Sequence, residues 1–310
     1  MNSSDGTVPG SRETGLRAGH ADGPTDGHAD GRGDARGAGP GDSRKESRAD
    51  GRGRGLPDSA LALDPPGPAV DRRLLATGLL LVLSGLLHLL VFAVDGGPWD
   101  GPVSWRKPVT FGLSFGVTLI TVAWVTSYLR MERRLRSGLL AVFAADCVVE
   151  VGGITLQAWR RVPSHLNMET PFDTAVSMTL AVGGGVLVVL LTLFAVLSFR
   201  NRPAGPAGMP LAVRSGFAVL LVALASGAAM IARGVVLTRT GHQEAAYHST
   251  ASLKPLHGVS LHAVLVLPAL AWLLSHTSWS EPVRHRIVAV GVGCYAVAVA
   301  AAGVWAVLTY

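Results

Sequence analysis

Seven runs of about 20 predominantly apolar residues follow one another from residue 74 to the end of the chain. Each run is long enough to cross the hydrocarbon core of a bilayer as a helix, at about 1.5 Å of rise per residue. A chain of 310 residues would otherwise suggest one or two soluble domains. We therefore predict an all-α fold, a polytopic transmembrane helical bundle of about seven spans. The predicted spans are Leu74–Val94, Pro108–Leu129, Ser137–Trp159, Thr174–Phe199, Leu211–Ala232, Leu256–His276 and Ile287–Leu308.

Residues 1–70 have a different composition, rich in Gly, Asp, Arg, Ala and Pro and almost free of large apolar side chains. Such a segment cannot bury enough apolar surface to offset the entropy lost on ordering. We expect residues 1–70 to be a disordered cytoplasmic tail and residues 71–310 to be the seven-helix transmembrane domain.

Arginine-rich loops alternate with less basic ones, which predicts the orientation of the bundle. By the positive-inside rule, the N-terminus lies in the cytoplasm of a bacterium and Tyr310 lies outside its plasma membrane. The net charge of +6 then reflects these loops, so we expect the lipid bilayer and not nucleic acid as the partner. The arginines on the predicted inner side are Arg72, Arg73, Arg130, Arg133, Arg134, Arg136, Arg200, Arg202, Arg214, Arg284 and Arg286.

A polar stripe runs along the third span. Asp146, Glu150, Gln157 and Arg161 lie within about 60° of one another on an ideal helix. Carboxylates at membrane depth are costly and usually functional, so Asp146 and Glu150 are the candidate catalytic or proton-binding groups. The alternative is a buried ion pair or hydrogen bond that locks helices together, for example with Arg233.

Small residues mark two other spans. Gly112 and Gly116 in the second span predict close helix packing. Gly183, Gly184 and Gly185 in the fourth span indicate either a broken helix, as in many transporters, or close packing.

Cations in the predicted outer loops suggest a binding site for an anionic small molecule. The candidate substrate-binding residues are Lys107, Arg161, His165, Arg233 and Lys254.

Histidines raise the question of a cofactor. His88 and His262 lie at similar depth, about 9 Å from the predicted outer end, and could hold the iron of haem b. A divalent metal at His257 and His262 is a second hypothesis, although the two are about 140° apart on an ideal helix. The alternative is separate histidines, each hydrogen-bonded within the bundle. The 14-residue spacing of His262 and His276 resembles the two-haem helices of b-type cytochromes.

Two family resemblances follow from these residues. Seven spans with Ser84-x-x-x-His88, Asp146 and a late histidine pair resemble the zinc membrane hydrolases of the ceramidase and progestin-receptor type. That family spaces its late pair as H-x-x-x-H, whereas His257 and His262 are five residues apart. The resemblance implies a zinc-dependent intramembrane hydrolase.

The second resemblance covers roughly residues 74–310. The segments at 104–108 (Ser-Trp-x-Lys-Pro), 157–167 (Gln-Ala-x-Arg, then Pro-Ser-His-x-Asn) and 254–262 (Lys-Pro-x-His-Gly, then His) resemble a group of bacterial multi-spanning membrane proteins. This resemblance implies the architecture and the choice of site residues, and it implies no activity.

These observations leave four functions open: a haem- or metal-linked redox or proton-coupled role, a small-molecule or ion transporter, a zinc-dependent hydrolase, and a structural membrane subunit. A nucleotide-binding or nucleophile-elbow motif is absent from the sequence, which disfavours soluble nucleotide and acyl chemistry. Our hypothesis is a single outward-facing site with His88 and Asp146 as its deeper layer. Its outer layer comprises Lys107, Glu150, Arg161, His165, His257 and His262.

Overall fold

The computed structural model describes residues 71–249 and 251–309, and these residues form helices and loops without strands. The predicted tail, residues 1–70, lies outside the described residues. The helices are α1 (Arg72–Asp95), α2 (Arg106–Val125), α3 (Arg133–Trp159), α4 (Pro171–Arg200), α5 (Met209–Arg239), α6 (Gln243–His248), α7 (Lys254–Ser275) and α8 (Glu281–Leu308).

In the described part of the chain, seven helices are long and apolar enough to cross a membrane, which is consistent with an integral membrane protein. This confirms the predicted all-α fold. The helix ends differ from the predicted spans, because α5 continues to Arg239 and therefore includes Arg233. Its 31 residues rise about 46 Å, more than the hydrocarbon core requires. Helices α2 and α7 likewise begin at Arg106 and Lys254, so these basic side chains are helical and not in loops.

Glycines bring α1 and α2 into close contact. A Cβ at Gly112 would lie 2.7 Å from the backbone N of Gly85, and a Cβ at Gly116 would lie 2.5 Å from the carbonyl oxygen of Gly78. Only glycine permits two backbones to approach this closely. The predicted packing role of Gly112 and Gly116 is therefore confirmed.

The apolar core lies mainly between α2, α3, α5 and α7, where Leu119, Phe143, Phe217 and Leu267 are almost completely buried. Helix α8 is peripheral and packs on α7 and α5. Most of its apolar side chains face outwards, as expected of a helix that contacts lipid.

Arginines at the predicted inner end cap the carboxyl ends of neighbouring helices. Arg136 donates to the carbonyl of Ala123 at 2.8 Å, and Arg214 donates to that of Ser198 at 3.0 Å. Arg284 donates to the carbonyl of Ser275 at 3.3 Å. The last carbonyls of a helix lack intrahelical N–H donors, and these guanidinium groups supply donors to them. The carbonyl of Ala123 also accepts from the Thr126 hydroxyl at 3.2 Å.

Helix α4 is continuous from Pro171 to Arg200. The hypothesis of a break at Gly183–Gly185 is therefore wrong. Gly183 is instead a close-packing position, and its neighbours are the third-span carboxyl groups.

Candidate functional site

The two third-span carboxyl groups meet α4 at one glycine. A Cβ at Gly183 would lie 2.5 Å from Oε1 of Glu150 and 2.8 Å from Oδ1 of Asp146. Asp146 and Glu150 are one helical turn apart, so both side chains leave α3 on the same face. The absent side chain of Gly183 provides the space that they occupy, and we call these two residues the carboxyl pair.

The carboxyl pair lies at membrane depth. Asp146 is midway between Arg133 and Trp159, about 20 Å from each end of α3 at the helical rise. Glu150 is only 3% exposed. Oδ2 of Asp146 and Oε1 of Glu150 are buried and have no hydrogen-bond partner among the described residues. The backbone of Gly184 lies within reach of the Glu150 carboxyl group.

An apolar groove lies between α3 and α4, and neither Asp146 nor Glu150 lines it. It has a volume of about 280 Å³ and is open at the surface of the bundle. On α3, Gly153 lies one helical turn from Glu150, and on α4, Leu180 lies one helical turn from Gly183. Both lie towards the predicted outer end. The residues that line the groove are Val149, Gly153, Ala175, Val176, Thr179 and Leu180.

Further along α3, Gln157 belongs to a second polar group that joins α3 to α4. Its Nε2 donates to Oδ1 of Asp173 at 2.9 Å, and the Arg160 guanidinium forms an ion pair with the same carboxylate. Thr170 donates to Oδ2 of Asp173 at 2.6 Å and accepts from its backbone N–H at 3.1 Å. Asp173 is therefore fully paired, and its contacts fix the amino end of α4 to the carboxyl end of α3.

Asp173 was not among the predicted site residues. The signal that indicates its position is Thr170-x-x-Asp173 in front of an apolar run, an N-cap threonine followed three residues later by an acid. That pattern predicts a helix start but not the partner on α3.

The predicted polar stripe ends before Arg161, because α3 ends at Trp159. Arg161 has a φ of 56°, a left-handed conformation that no helix continues through. Its guanidinium pairs with Asp95 at 3.2 Å, and both side chains are largely exposed. Arg161 is thus an exposed residue that forms an ion pair with Asp95, and it does not extend the face of α3 that carries the carboxyl pair.

His165 lies in the loop between α3 and α4 and faces Lys107. Its Nδ1 is 2.9 Å from the hydroxyl oxygen of Ser164, and its ring lies 6.1 Å from the ring of Phe111. Burial, together with the charge of Lys107, lowers the pKa of His165 from 6.5 to about 4. The imidazole is therefore neutral at physiological pH.

Basic groups converge where α2 and α7 begin. Lys107 lies within electrostatic range of both Arg106 and Lys254. Arg106 pairs with the exposed Asp100 at 2.6 Å, and Nζ of Lys107 donates to the carbonyl of Pro102 at 2.8 Å. We call Arg106, Lys107 and Lys254 the basic cluster.

Ser104 adds a polar group beside the basic cluster. It is 4% exposed, and its hydroxyl has no hydrogen-bond partner among the described residues. Ser104 and Lys107 line the same narrow cavity between α2 and α3. Lys107 thus lies within electrostatic range of both Lys254 and His165.

His88 has partners for both ring nitrogens. Its Nδ1 lies 2.7 Å from the carbonyl oxygen of Ser84, to which it donates, and its Nε2 accepts from the indole N–H of Trp159 at 3.0 Å. The Trp105 and Trp159 rings pack edge to face with centroids 5.3 Å apart, and both contact His88. A haem iron could coordinate Nε2 of His88 only if the hydrogen bond from the Trp159 indole to this nitrogen were broken.

His257 and His262 point in different directions from α7. His257 faces α5, where its Nδ1 lies 2.8 Å from the carbonyl oxygen of Ala223 and 3.3 Å from the hydroxyl oxygen of Ser226. His262 is exposed, and its Nδ1 donates to the carbonyl of Gly258 at 2.6 Å. Within residues 71–249 and 251–309, no three His, Cys, Asp or Glu side chains converge as metal ligands.

The residues of the hypothesised single site thus fall into separate groups. Glu150 and Asp146 face α4, whereas His262 is exposed on α7, which packs mainly on α5, α8 and α2. Lys107, His165 and Lys254 form the group near the predicted outer end. Arg233 lies within α5, one position before the close-packed Gly234.

Comparison with protein-family models, with curated proteins and with solved structures finds no match to this chain. The function must therefore be inferred from the residues themselves.

Proposed function

We propose that this protein is a proton-coupled membrane carrier in which the carboxyl pair, Asp146 and Glu150, binds and releases the coupling proton. The observation that carries the proposal is the contact of both carboxyl groups with Gly183 at mid-helix depth, with unpartnered oxygens on each acid. Intramembrane carboxyl groups in this situation are typical of proton and ion pathways.

The electrostatic cost of two neighbouring carboxylates at membrane depth explains why the carboxyl pair would bind a proton. Two carboxylates in contact with the same glycine repel each other, and neither is solvated by bulk water at this depth. One proton on the pair removes a net charge and supplies an O–H donor to an unpartnered oxygen. Binding and release of that proton would then follow the access of the pair to water or to a substrate.

In a purely structural subunit we would expect every buried polar side chain to be paired. The unpartnered oxygens of Asp146 and Glu150 favour the carrier instead. For the haem and zinc alternatives, the geometry offers no comparable support, since His88 already uses both ring nitrogens.

Infrared spectroscopy of the protein in lipid tests the proposal directly, because the C=O stretch of a protonated carboxyl group is separate from the carboxylate bands. We expect a protonated carboxyl band that persists at neutral pH, changes with pH, and is lost in Asp146→Asn or Glu150→Gln. The matched control is Glu169→Gln, which removes an exposed acid from the loop before α4. A spectrum unchanged by both pair variants would overturn the proposal.

We also propose the finer topology that the arginine-rich loops support: a bacterial plasma membrane location, a cytoplasmic N-terminus that includes residues 1–70, and an extracytoplasmic C-terminus. Fusion of alkaline phosphatase after residue 308 should give periplasmic activity, and a fusion after residue 202 should not. The reverse pattern would invert the topology.

The basic cluster supports a second candidate function, the binding of a small anion near the predicted outer end. The supporting observations are that Lys107 lies within electrostatic range of Lys254 and lines the same cavity as Ser104, whose hydroxyl has no hydrogen-bond partner among the described residues. Inorganic phosphate at constant ionic strength should raise the Tm of the wild type and not that of Lys107→Met. Arg202→Gln, an exposed cation at the other end of the bundle, is the control. An equal shift in all three proteins would overturn the anion site.

A further inference from the structure

Two loops at the predicted inner end of the bundle are joined by hydrogen bonds. After α4, Nδ2 of Asn201 donates to the carbonyl of Arg130 at 2.9 Å, and the backbone N–H of Ala204 donates to the carbonyl of Tyr128 at 2.8 Å. The segment between α2 and α3 therefore lies against the loop between α4 and α5. Because both segments are rich in arginine, this contact gathers positive charges that are about 70 residues apart in the sequence.

Four exposed arginines lie at this junction. The arginine patch, as we call it, consists of Arg130, Arg134, Arg200 and Arg202. Within the described part of the chain, none of the four forms an ion pair. Residues 129–136 and 198–204 together contain six arginines and a single acid, Glu132. The patch is therefore a strongly positive surface that the described acids do not neutralise.

Other arginines of the bundle have partners that the patch lacks. At the same end, the guanidinium of Arg214 donates to the carbonyl of Ser198 at 3.0 Å. At the opposite end, three arginines pair with aspartates, namely Arg106, Arg160 and Arg161. The patch guanidinium groups have neither a carbonyl nor a carboxylate partner among residues 71–249 and 251–309, so their donors remain available to a ligand.

Exposed apolar side chains adjoin the patch. Phe199, directly before Arg200, is 49% exposed, and Leu135, directly after Arg134, is 45% exposed. Exposed apolar residues at the ends of membrane-spanning helices contact the hydrocarbon region, and arginines beside them lie at the level of the lipid headgroups. A guanidinium group at this level meets phosphate, whose oxygens its planar fork binds in pairs.

We propose that the arginine patch is a docking surface for anionic phospholipids, with the headgroup phosphates on the arginines and the acyl chains against Phe199 and Leu135. A lipid fits this surface better than a soluble anion does, because only a lipid joins phosphate to apolar chains. The negative charge of an acidic bilayer complements the patch. In the topology proposed above, the patch faces the cytoplasmic leaflet.

This inference is independent of the carboxyl pair and of the proposed carrier function. An inverted topology would move the patch to the other leaflet without changing its chemistry. Failure of the lipid proposal would therefore leave the proton assignment of Asp146 and Glu150 as it stands.

The competing explanation is a diffuse attraction, in which every basic group at the inner end contributes equally. Near an anionic membrane surface each arginine contributes about a fivefold preference for that surface. If the attraction is diffuse, removal of any two exposed arginines at this end should have the same effect. If the patch is a site, its own members should matter more, because their hydrogen-bonded loops hold them together.

Native mass spectrometry of the full chain tests the proposal. The protein would be released from micelles that contain equal amounts of phosphatidylglycerol and phosphatidylcholine with the same acyl chains. We expect the wild type to retain phosphatidylglycerol over phosphatidylcholine by at least about tenfold, and Arg130→Gln/Arg200→Gln to reduce this preference at least about fivefold. The preference should also weaken as the ionic strength rises.

The matched control is Arg72→Gln/Arg286→Gln, which removes two exposed arginines from the predicted inner ends of α1 and α8. It should keep the preference of the wild type within about twofold. Equal losses in the two double variants would overturn the patch as a site and establish a diffuse attraction. Equal retention of both lipids by the wild type would overturn the lipid assignment and favour an acidic protein segment as the partner of the patch.

Discussion

Glu150 and Gly183 are in contact at the interface of α3 and α4, where a Cβ at position 183 would lie 2.5 Å from the carboxyl oxygen Oε1. Asp146 lies against the same glycine at 2.8 Å. The position of the carboxyl pair therefore depends on a residue without a side chain on the opposite helix.

Gly183→Ala should disturb the carboxyl pair through this contact. The added methyl group must displace both carboxyl oxygens. Because these are the ends of side chains, we expect a loss of about 1 kcal/mol in the free energy of unfolding, the lower end of the range for overpacking. The measurement is reversible unfolding in a mixed detergent titration, with the infrared band of the pair as a second readout. Gly184→Ala is the matched control, since a Cβ at Gly184 meets no atom within 4 Å. Equal effects of the two alanines would contradict the packing described here.

Asp173→Ala should loosen the amino end of α4. Removal of this carboxylate leaves Gln157, Arg160 and Thr170 without their shared acceptor, so the link to α3 is lost. The N-cap hydrogen bond from the backbone N–H of residue 173 to Thr170 remains. We expect a Tm lowered by several degrees and faster proteolysis of the loop at residues 160–170. Glu169→Ala, which removes a neighbouring exposed acid, should change neither.

The membrane spans could be predicted from the sequence because hydropathy is a local property, readable over one helix length. The face of α3 that carries Asp146 and Glu150 could be predicted for the same reason. The helix that packs against that face could not be predicted, because the local sequence Gly183–Gly185 does not indicate which helix α4 contacts. The three glycines fitted a helix break equally well, and the continuous α4 excludes that interpretation.

Two residues lie elsewhere than predicted relative to the helices, and both differences arise at helix ends. The helix period of α3, extended by four residues, predicts Arg161 on the polar stripe, but the chain turns to a positive φ at that residue. The charge of Arg233 predicts a loop, yet α5 continues past it to Arg239. Neither a left-handed turn at a non-glycine residue nor a helix that extends beyond the bilayer leaves a clear pattern in a single sequence.

Trp159→Phe tests the hydrogen bond between the indole of Trp159 and His88. Phenylalanine keeps most of the ring packing against Trp105 but removes the N–H that Nε2 of His88 accepts, which leaves a buried acceptor unpaired. We expect a loss of about 1 kcal/mol in the free energy of unfolding. Trp279→Phe, at an exposed position near the other end, should stay within about 0.5 kcal/mol of the wild type.

His165 should make the protein less stable in acid. Its pKa is about 4 in the folded protein, below its ordinary value of 6.5, so the unfolded chain binds a proton between these pH values that the folded chain does not. By linkage, the free energy of unfolding rises with pH across this window and falls as pH drops below about 6.5. Between pH 6.5 and pH 5 the loss is at most about 2 kcal/mol, since one pKa unit corresponds to about 1.4 kcal/mol.

His165→Gln removes the titrating ring and keeps a polar side chain next to Ser164, so its stability should fall less between pH 6.5 and pH 5 than that of the wild type. Lys107→Met should give an intermediate slope, because the charge of Lys107 is the second cause of the lowered pKa after burial. The control is His285→Gln on α8, an exposed histidine in the predicted inner half, which should keep the slope of the wild type. If His165→Gln and His285→Gln had the same pH dependence, a buried and neutral His165 would be ruled out, and the acid sensitivity would have to arise elsewhere, first of all in the carboxyl pair.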